Sequence, residues 1–292
     1  MQFIRPTTWS EALQAKADHP EAWPVAGGTD VLVELNFDRR RPEAVLDLSS
    51  VGELRPWTRE DDHVRLGAGT TYTDVLRDLP DLLPGLTVAS RGVGSPQIRN
   101  RGTVAGNLGS ASPAGDAHPP LLASGAEVEV ASVRGPRRIA IDDFYLGVKR
   151  NALEPDELIA AIRVPVAPGP QQYAKIGTRN AMVIAVCSFA VALDPVRRRV
   201  GTGIGSAAPT PRRAVEAEGF LTERLDGRGL WEGTGPLDEE TLTRFGALVA
   251  AAAQPIDDVR GTAAYRRHAL SVLARRTLTW CWDDLRARRE AA

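Results

Sequence analysis

Two short glycine-rich segments constrain this chain more than any other feature of it: Ala26-Gly27-Gly28-Thr29-Asp30 and Thr103-Val104-Ala105-Gly106-Asn107. Each combines glycine with Thr or Asn, and each adjoins an apolar, β-prone stretch, Trp23-Pro24-Val25 before the first and Thr103-Val104 inside the second. Glycine has no Cβ to hold a ligand away from the backbone, and it tolerates positive φ. Successive N–H groups in such a turn form a concave nest for an anion, most often phosphate. Two nests brought together by folding would suit a diphosphate, and so a dinucleotide cofactor. Local sequence is equally compatible with two tight turns that simply cap strands.

The 292 residues, 43% hydrophobic and 25% charged, read as a globular chain of two or three domains. A formal net charge of -1 gives no electrostatic reason to expect nucleic acid or an anionic membrane as partner. No apolar run approaches the roughly 20 residues of a membrane-spanning helix, so no membrane insertion is expected. Cys187 and Cys281 are the two cysteines, each in an apolar context, and they read as reduced core residues of a cytoplasmic protein. An iron–sulfur cluster held by this chain alone would need about four cysteines. His19, His63, His118 and His268 stand singly, which argues against a metal site.

The pattern predicts a helix over 10–17 with Ser10 as its cap, strands over 22–25, 44–48 and 64–68, and a helix over 71–79 ended by Pro80. A helix over 119–124 is expected next, followed by strands over 126–133 and 158–164. The segment 166–170, with two prolines and a glycine, reads as a linker. Beyond it, 183–193 is a buried strand, Asp194-Pro195 a turn and 200–204 a return strand, and long helices cover 238–253 and 262–288. This is an α+β architecture with two lobes.

Four smaller signals have plain structural alternatives. Gly203-Ile204-Gly205-Ser206-Ala207-Ala208 fits a loose dinucleotide fingerprint, but Pro209 and Pro211 fall where its helix should already be running. Gly109-Ser110-Ala111-Ser112 does not fit a nucleophile elbow. Arg197-Arg198-Arg199 reads as a solvated turn. In the loop 107–116, hydroxyls and free N–H groups suit phosphates and a polyol, and Asp116 is placed either to accept from ribityl hydroxyls or to cap the next helix.

In order along the chain, Ala26-Gly27-Gly28-Thr29-Asp30-Val31-Leu32, Arg101-Gly102-Thr103-Val104-Ala105-Gly106-Asn107 and Ser112-Pro113-Ala114-Gly115-Asp116 resemble the flavin-binding (medium) subunit of the molybdenum hydroxylases. That family includes xanthine dehydrogenases and aerobic carbon monoxide dehydrogenases. The resemblance continues through Tyr173-Ala174-Lys175-Ile176 with Arg179, then 204–214, and Asp258-Val259-Arg260-Gly261 with Tyr265-Arg266. It therefore covers nearly the whole chain.

The resemblance implies a two-subdomain FAD-binding fold of the vanillyl-alcohol-oxidase (PCMH) type over 1–168, with subdomains of about 1–55 and 56–168, and an α+β C-terminal domain over 171–292. It implies noncovalent FAD, held between the two subdomains and covered by the C-terminal lobe. Val25, Ala26, Gly27, Gly28, Thr29, Asp30 and Val31, with Thr103, Ala105, Gly106 and Asn107, would wrap the diphosphate. Ser112, Gly115 and Asp116 would meet the ribityl and phosphate region, and Leu158 and Ile159 would touch the cofactor through the backbone. Lys175 would lie at the pyrimidine edge of the flavin, where a cation favours the anionic reduced form. Either Tyr173 or Val93 would cover the ring, with a core strand position as the other reading of Tyr173.

No acid–base catalytic residue and no metal ligand is implied. Molybdopterin and [2Fe-2S] clusters are expected on a large and a small partner subunit, with NAD or another acceptor taking the electrons from FAD. A free-standing FAD-dependent oxidoreductase and a non-catalytic nucleotide-binding subunit remain the alternative readings of the same residues.

Overall fold

The computed structural model describes residues 1–291. The chain opens with a strand, β1 (Gln2–Ile4), and a helix, α1 (Trp9–Asp18). Thr8, not Ser10, caps that helix: its hydroxyl accepts the Glu11 N–H while the Glu11 carboxylate accepts the Thr8 N–H, a reciprocal capping box. Lys16, one of three lysines in the chain, is buried at the end of α1 and donates to the carbonyls of Pro20 and Ala22.

Next come β2 (Trp23–Val25), α2 (Val31–Asn36), β3 (Ala44–Asp47), β4 (Trp57–Glu60), β5 (His63–Gly67) and α3 (Tyr72–Asp78). Four helices follow, α4 (Pro84–Arg91), α5 (Pro96–Arg101), α6 (Val104–Ser110) and α7 (His118–Ser124). After them lie β6 (Glu127–Ser132), β7 (Gly135–Ala140), α8 (Ile141–Phe144), the hairpin of β8 (Tyr145–Gly147) and β9 (Arg150–Asn151), and β10 (Leu158–Pro165). The last part holds β11 (Gln171–Ile176), β12 (Cys187–Asp194), β13 (Arg199–Gly205), α9 (Val215–Gly227), α10 (Glu239–Ala252) and α11 (Ala263–Glu290).

These elements form two compact units. The first comprises Met1–Asp78, Gly94–Ser112 and Ala126–Pro165, and the second comprises Leu79–Val93, Pro113–Gly125 and the chain from Val166 on. Two helices from the N-terminal half of the sequence, α4 and α7, therefore pack in the second unit.

In the first unit, β1, β3 and β2 make a parallel sheet in that order, and β4-β5-β10-β6-β7 make an antiparallel one. Period-2 alternation decides β6: Val128 and Val130 are fully buried, while Glu127 and Glu129 face away and pair with Arg163 (3.2 Å) and Arg65 (2.7 Å).

In the second unit, β11-β12-β13 form an antiparallel sheet covered on both faces. Cys187, Phe189, Val191 and Leu193 of β12 turn toward a core with α9, α10 and α11. Ala190 turns the other way, toward Ala89 of α4 and Ala123 of α7. Burial on both faces explains why β12 reads as an almost continuous apolar run. Alternate positions of β13 are glycine because α7 lies directly on them: a Cβ at Gly201 would overlap the Ala123 carbonyl, and one at Gly203 the Pro119 carbonyl. The Gly203-Ile204-Gly205 run is thus strand and helix-packing surface, not a dinucleotide turn. Arg197, Arg198 and Arg199 sit at the β12–β13 turn, where Arg197 pairs with Asp194 and Arg198 with Glu232.

Candidate cofactor site

The first glycine segment leaves β2 and enters α2. Gly28 has φ +77°, in the left-handed region that glycine adopts without strain. Gly27 has no room for a side chain, since a Cβ there would overlap the carbonyl of Arg101 at the end of α5. Folding therefore presses the first segment against the backbone that leads into the second. Among the described residues, none of the five successive N–H groups from Gly27 to Val31 donates to a protein acceptor, and Asp30, the cap residue of α2, makes no side-chain cap bond. Gly27, Gly28 and Thr29 are half-buried. Unused donors on half-buried backbone call for an acceptor-rich partner, and a diphosphate fits that description.

The second segment is not a turn following a strand. It is the start of α6: Thr103 is the cap, and its hydroxyl accepts the Gly106 N–H at 2.9 Å. The Val104 N–H goes to Thr70 and that of Asn107 to the Thr103 carbonyl, which leaves Thr103 and Ala105 with unused N–H groups in this stretch. The second segment thus offers fewer donors than its composition suggested, because helix formation and capping use them first. Ile159, with Leu158 at the buried start of β10, packs beneath Gly109 of α6, and the β10–β6 register shifts just after it. Ser112 follows Ala111, whose φ of +44° ends α6.

The remaining predicted residues lie in the second unit. Asp116 does not cap α7, whose cap residue Ala117 makes no side-chain bond. Its carboxylate instead accepts from Lys175 Nζ and from the Tyr173 hydroxyl, both at 2.7 Å. Lys175 also donates to the carbonyls of Gly92 (2.8 Å) and Val183 (3.1 Å), so its three donors all have protein acceptors. Lys175 is therefore a compensated charge within an ion pair. Burial pushes the Asp116 carboxyl above its ordinary range, and Lys175 and Tyr173 pull against that shift.

Tyr173 is 6% exposed, with its ring among Ala89, Ala123 and Ala190. It is a core strand residue, and Val93, half-buried beyond α4, is the more open of the two candidates for covering a flavin. Gly115 lies in the loop that enters α7, its carbonyl accepting the His118 N–H. In the late signature, Asp258 pairs with Arg260 and Arg266, and Arg266 donates to the Ser206 carbonyl, which fastens the loop before α11 to the end of β13. Among the described residues no cluster of three or more His, Cys, Asp or Glu side chains could hold a metal ion.

The sequence reading missed the Arg101 carbonyl under Gly27, and it missed the β8–β9 hairpin. Lys149, in the turn of that hairpin, pairs with Glu34 of α2 at 2.8 Å, a contact spanning 115 positions that no local pattern signals.

An α+β fold whose first unit offers a run of backbone donors beside a capped helix start is that of a protein built to grip a phosphate-bearing cofactor. The model of the FAD binding domain in molybdopterin dehydrogenase matches residues 1–167, and that of the CO dehydrogenase flavoprotein C-terminal domain matches residues 172–281. The chain is 30% identical over 288 residues to the xanthine dehydrogenase FAD-binding subunit of Escherichia coli O157:H7, covering 95% of this chain and 94% of that protein. It is 32% identical over 269 residues to the carbon monoxide dehydrogenase medium chain of Afipia carboxidovorans, covering 88% of each. A reconstituted CO dehydrogenase structure from Oligotropha carboxidovorans superposes with a TM-score of 0.88 at 29% identity, over 99% of this chain and 98% of that one. The chain belongs to the FAD-binding medium subunits of the molybdenum hydroxylase family, and is an FAD-binding component of an oxidoreductase.

Proposed function

We propose that this chain is the electron-exit subunit of a three-part molybdenum hydroxylase. It would receive electrons from [2Fe-2S] clusters on a small partner, reduced in turn at a molybdopterin centre on a large one, and pass them to NAD or another acceptor. The compartment in this reading is the cytoplasm, in keeping with two free, buried thiols. The observation that carries the reading is the run of unused N–H groups from Gly27 to Val31, set against the Arg101 backbone.

Bound there, FAD would supply two-electron redox chemistry that no side chain of the protein provides. The chain's own residues have simpler tasks in this proposal. Val25 to Val31 hold the diphosphate by backbone donors, and the Thr103 cap keeps the start of α6 in place beside it. Leu158 and Ile159 touch the cofactor through their backbone in this reading, while the Ile159 side chain packs beneath Gly109 of α6. The assignment of Val93, Ser112, Gly115, Asp116, Tyr173 and Lys175 to the same cofactor is part of the proposal, and substitution of each residue in turn tests it. The domain division at about residue 168 belongs to it as well.

The test is the cofactor itself. Purified protein is expected to be yellow and to release intact FAD on denaturation. A colourless protein that takes up FMN or nothing, but not FAD, would overturn the reading.

A further inference from the structure

The β8–β9 hairpin has no part in the proposed grip on the cofactor, yet it touches both helices that carry the glycine segments. Lys149 lies at its turn with φ +55°. Its backbone N–H donates to the Ala111 carbonyl (3.0 Å), and two residues on, Asn151 Nδ2 donates to the Gly109 carbonyl (2.9 Å). Both acceptors belong to the end of α6, where the last carbonyls of a helix lack intrahelical partners. From the same residue the side chain reaches α2, where Nζ meets Glu34 Oε1 at 2.8 Å. Glu34 stands one helical turn beyond the first glycine segment, and its N–H donates to the Asp30 carbonyl. Lys149 holds the Glu34 carboxyl below its ordinary range, and Arg39, 4.0 Å away, adds to this.

We propose that Lys149 is a positioning residue that fixes the spacing between the two glycine segments, gripping the end of α6 with its backbone and α2 with its side chain, and so sets the affinity for a diphosphate-bearing flavin. The assignment rests on the FAD reading above. It does not require Lys149 to touch the cofactor. The ammonium and Asn151 act on the far ends of the two helices, and a change of spacing there reaches the glycine backbone because each helix is a single rigid turn or two.

The test measures FAD dissociation constants for apoprotein of the full chain, wild type and variants, alongside thermal unfolding of the same apoproteins. Lys149→Met is expected to weaken FAD binding about two- to fivefold, the range of one partly exposed ion pair, with little change in apoprotein melting. Lys149→Arg is expected to restore affinity. Glu34→Gln should produce a similar loss, and Lys149→Met with Glu34→Gln no more than either alone, since both remove one tie. Glu34→Gln also keeps the test open should Lys149→Met fail to fold. Binding within twofold of wild type in both single variants, or losses that multiply in the double variant, would overturn the inference. A wild-type chain that binds no FAD would overturn this inference and the cofactor reading together. Wild-type binding with unaffected variants overturns this inference alone.

Discussion

Lys175 and Asp116 show how a site residue changes meaning once its neighbours are known. Read along the strand, Tyr173 and Lys175 share a face, which is correct, and both reach Asp116. What the strand pattern could not contain is Asp116 itself, which lies 59 positions from Lys175 and neutralises it. Removing one partner of a largely buried pair leaves the other charge uncompensated. Lys175→Met is therefore expected to cost about 3 kcal/mol of stability, and Lys175→Met with Asp116→Asn to recover part of it. The deficit should depend on pH in a definite direction. Without the ammonium, burial raises the Asp116 carboxyl further, so the folded variant holds a proton that the unfolded chain gives up above about pH 4. Its stability is then greatest at low pH and falls as pH rises through the raised value. Chemical denaturation at pH 5 and pH 8 checks this, and a deficit equal at both would trace the loss to packing instead.

At the level of elements, the sequence was most legible where periodicity is long. The two last helices and strands β6, β10, β12 and β13 lie close to where alternation and helical spacing place them. β1, β4, α4, α5 and α9 gave no such signal: the strands have three or four residues, α4 is rich in small and polar residues, and α9 comes directly after a proline-rich stretch. Glycine was the least readable residue, because the same letter serves opposite ends. In Gly28 it permits a left-handed turn, whereas in Gly203 it permits a helix to lie against a strand. The second use predicts that Gly203→Ala forces α7 away from β13, since the new Cβ meets backbone rather than a flexible side chain. A loss of roughly 1–3 kcal/mol in urea unfolding is expected, the usual penalty of overpacking. Thermal and chemical unfolding indistinguishable from wild type would show that the sheet and helix yield there at no cost.

For the whole molecule, the electron-exit reading implies partners that carry the clusters and the molybdenum centre. A tagged chain expressed from its native genome is expected to bring down one larger and one smaller chain, the latter carrying iron and sulfide. A chain recovered alone, yellow and active on a small molecule by itself, would favour the free-standing alternative. Such experiments meet an unusual chemical surface. Each of the three lysines already has a structural partner: Lys16 is buried on two carbonyls, Lys175 is tied to Asp116, and Lys149 is paired with Glu34. Lys149 is the most open of them, with its side chain about half exposed. Amine-reactive reagents therefore find few targets besides the N-terminus. A crosslinker or biosensor surface of that chemistry would couple first at the residue that spaces the glycine segments, and would loosen the flavin it was meant to report on. Carboxylate- or arginine-directed coupling, for which this chain offers 37 acidic and 33 arginine side chains, avoids that interference.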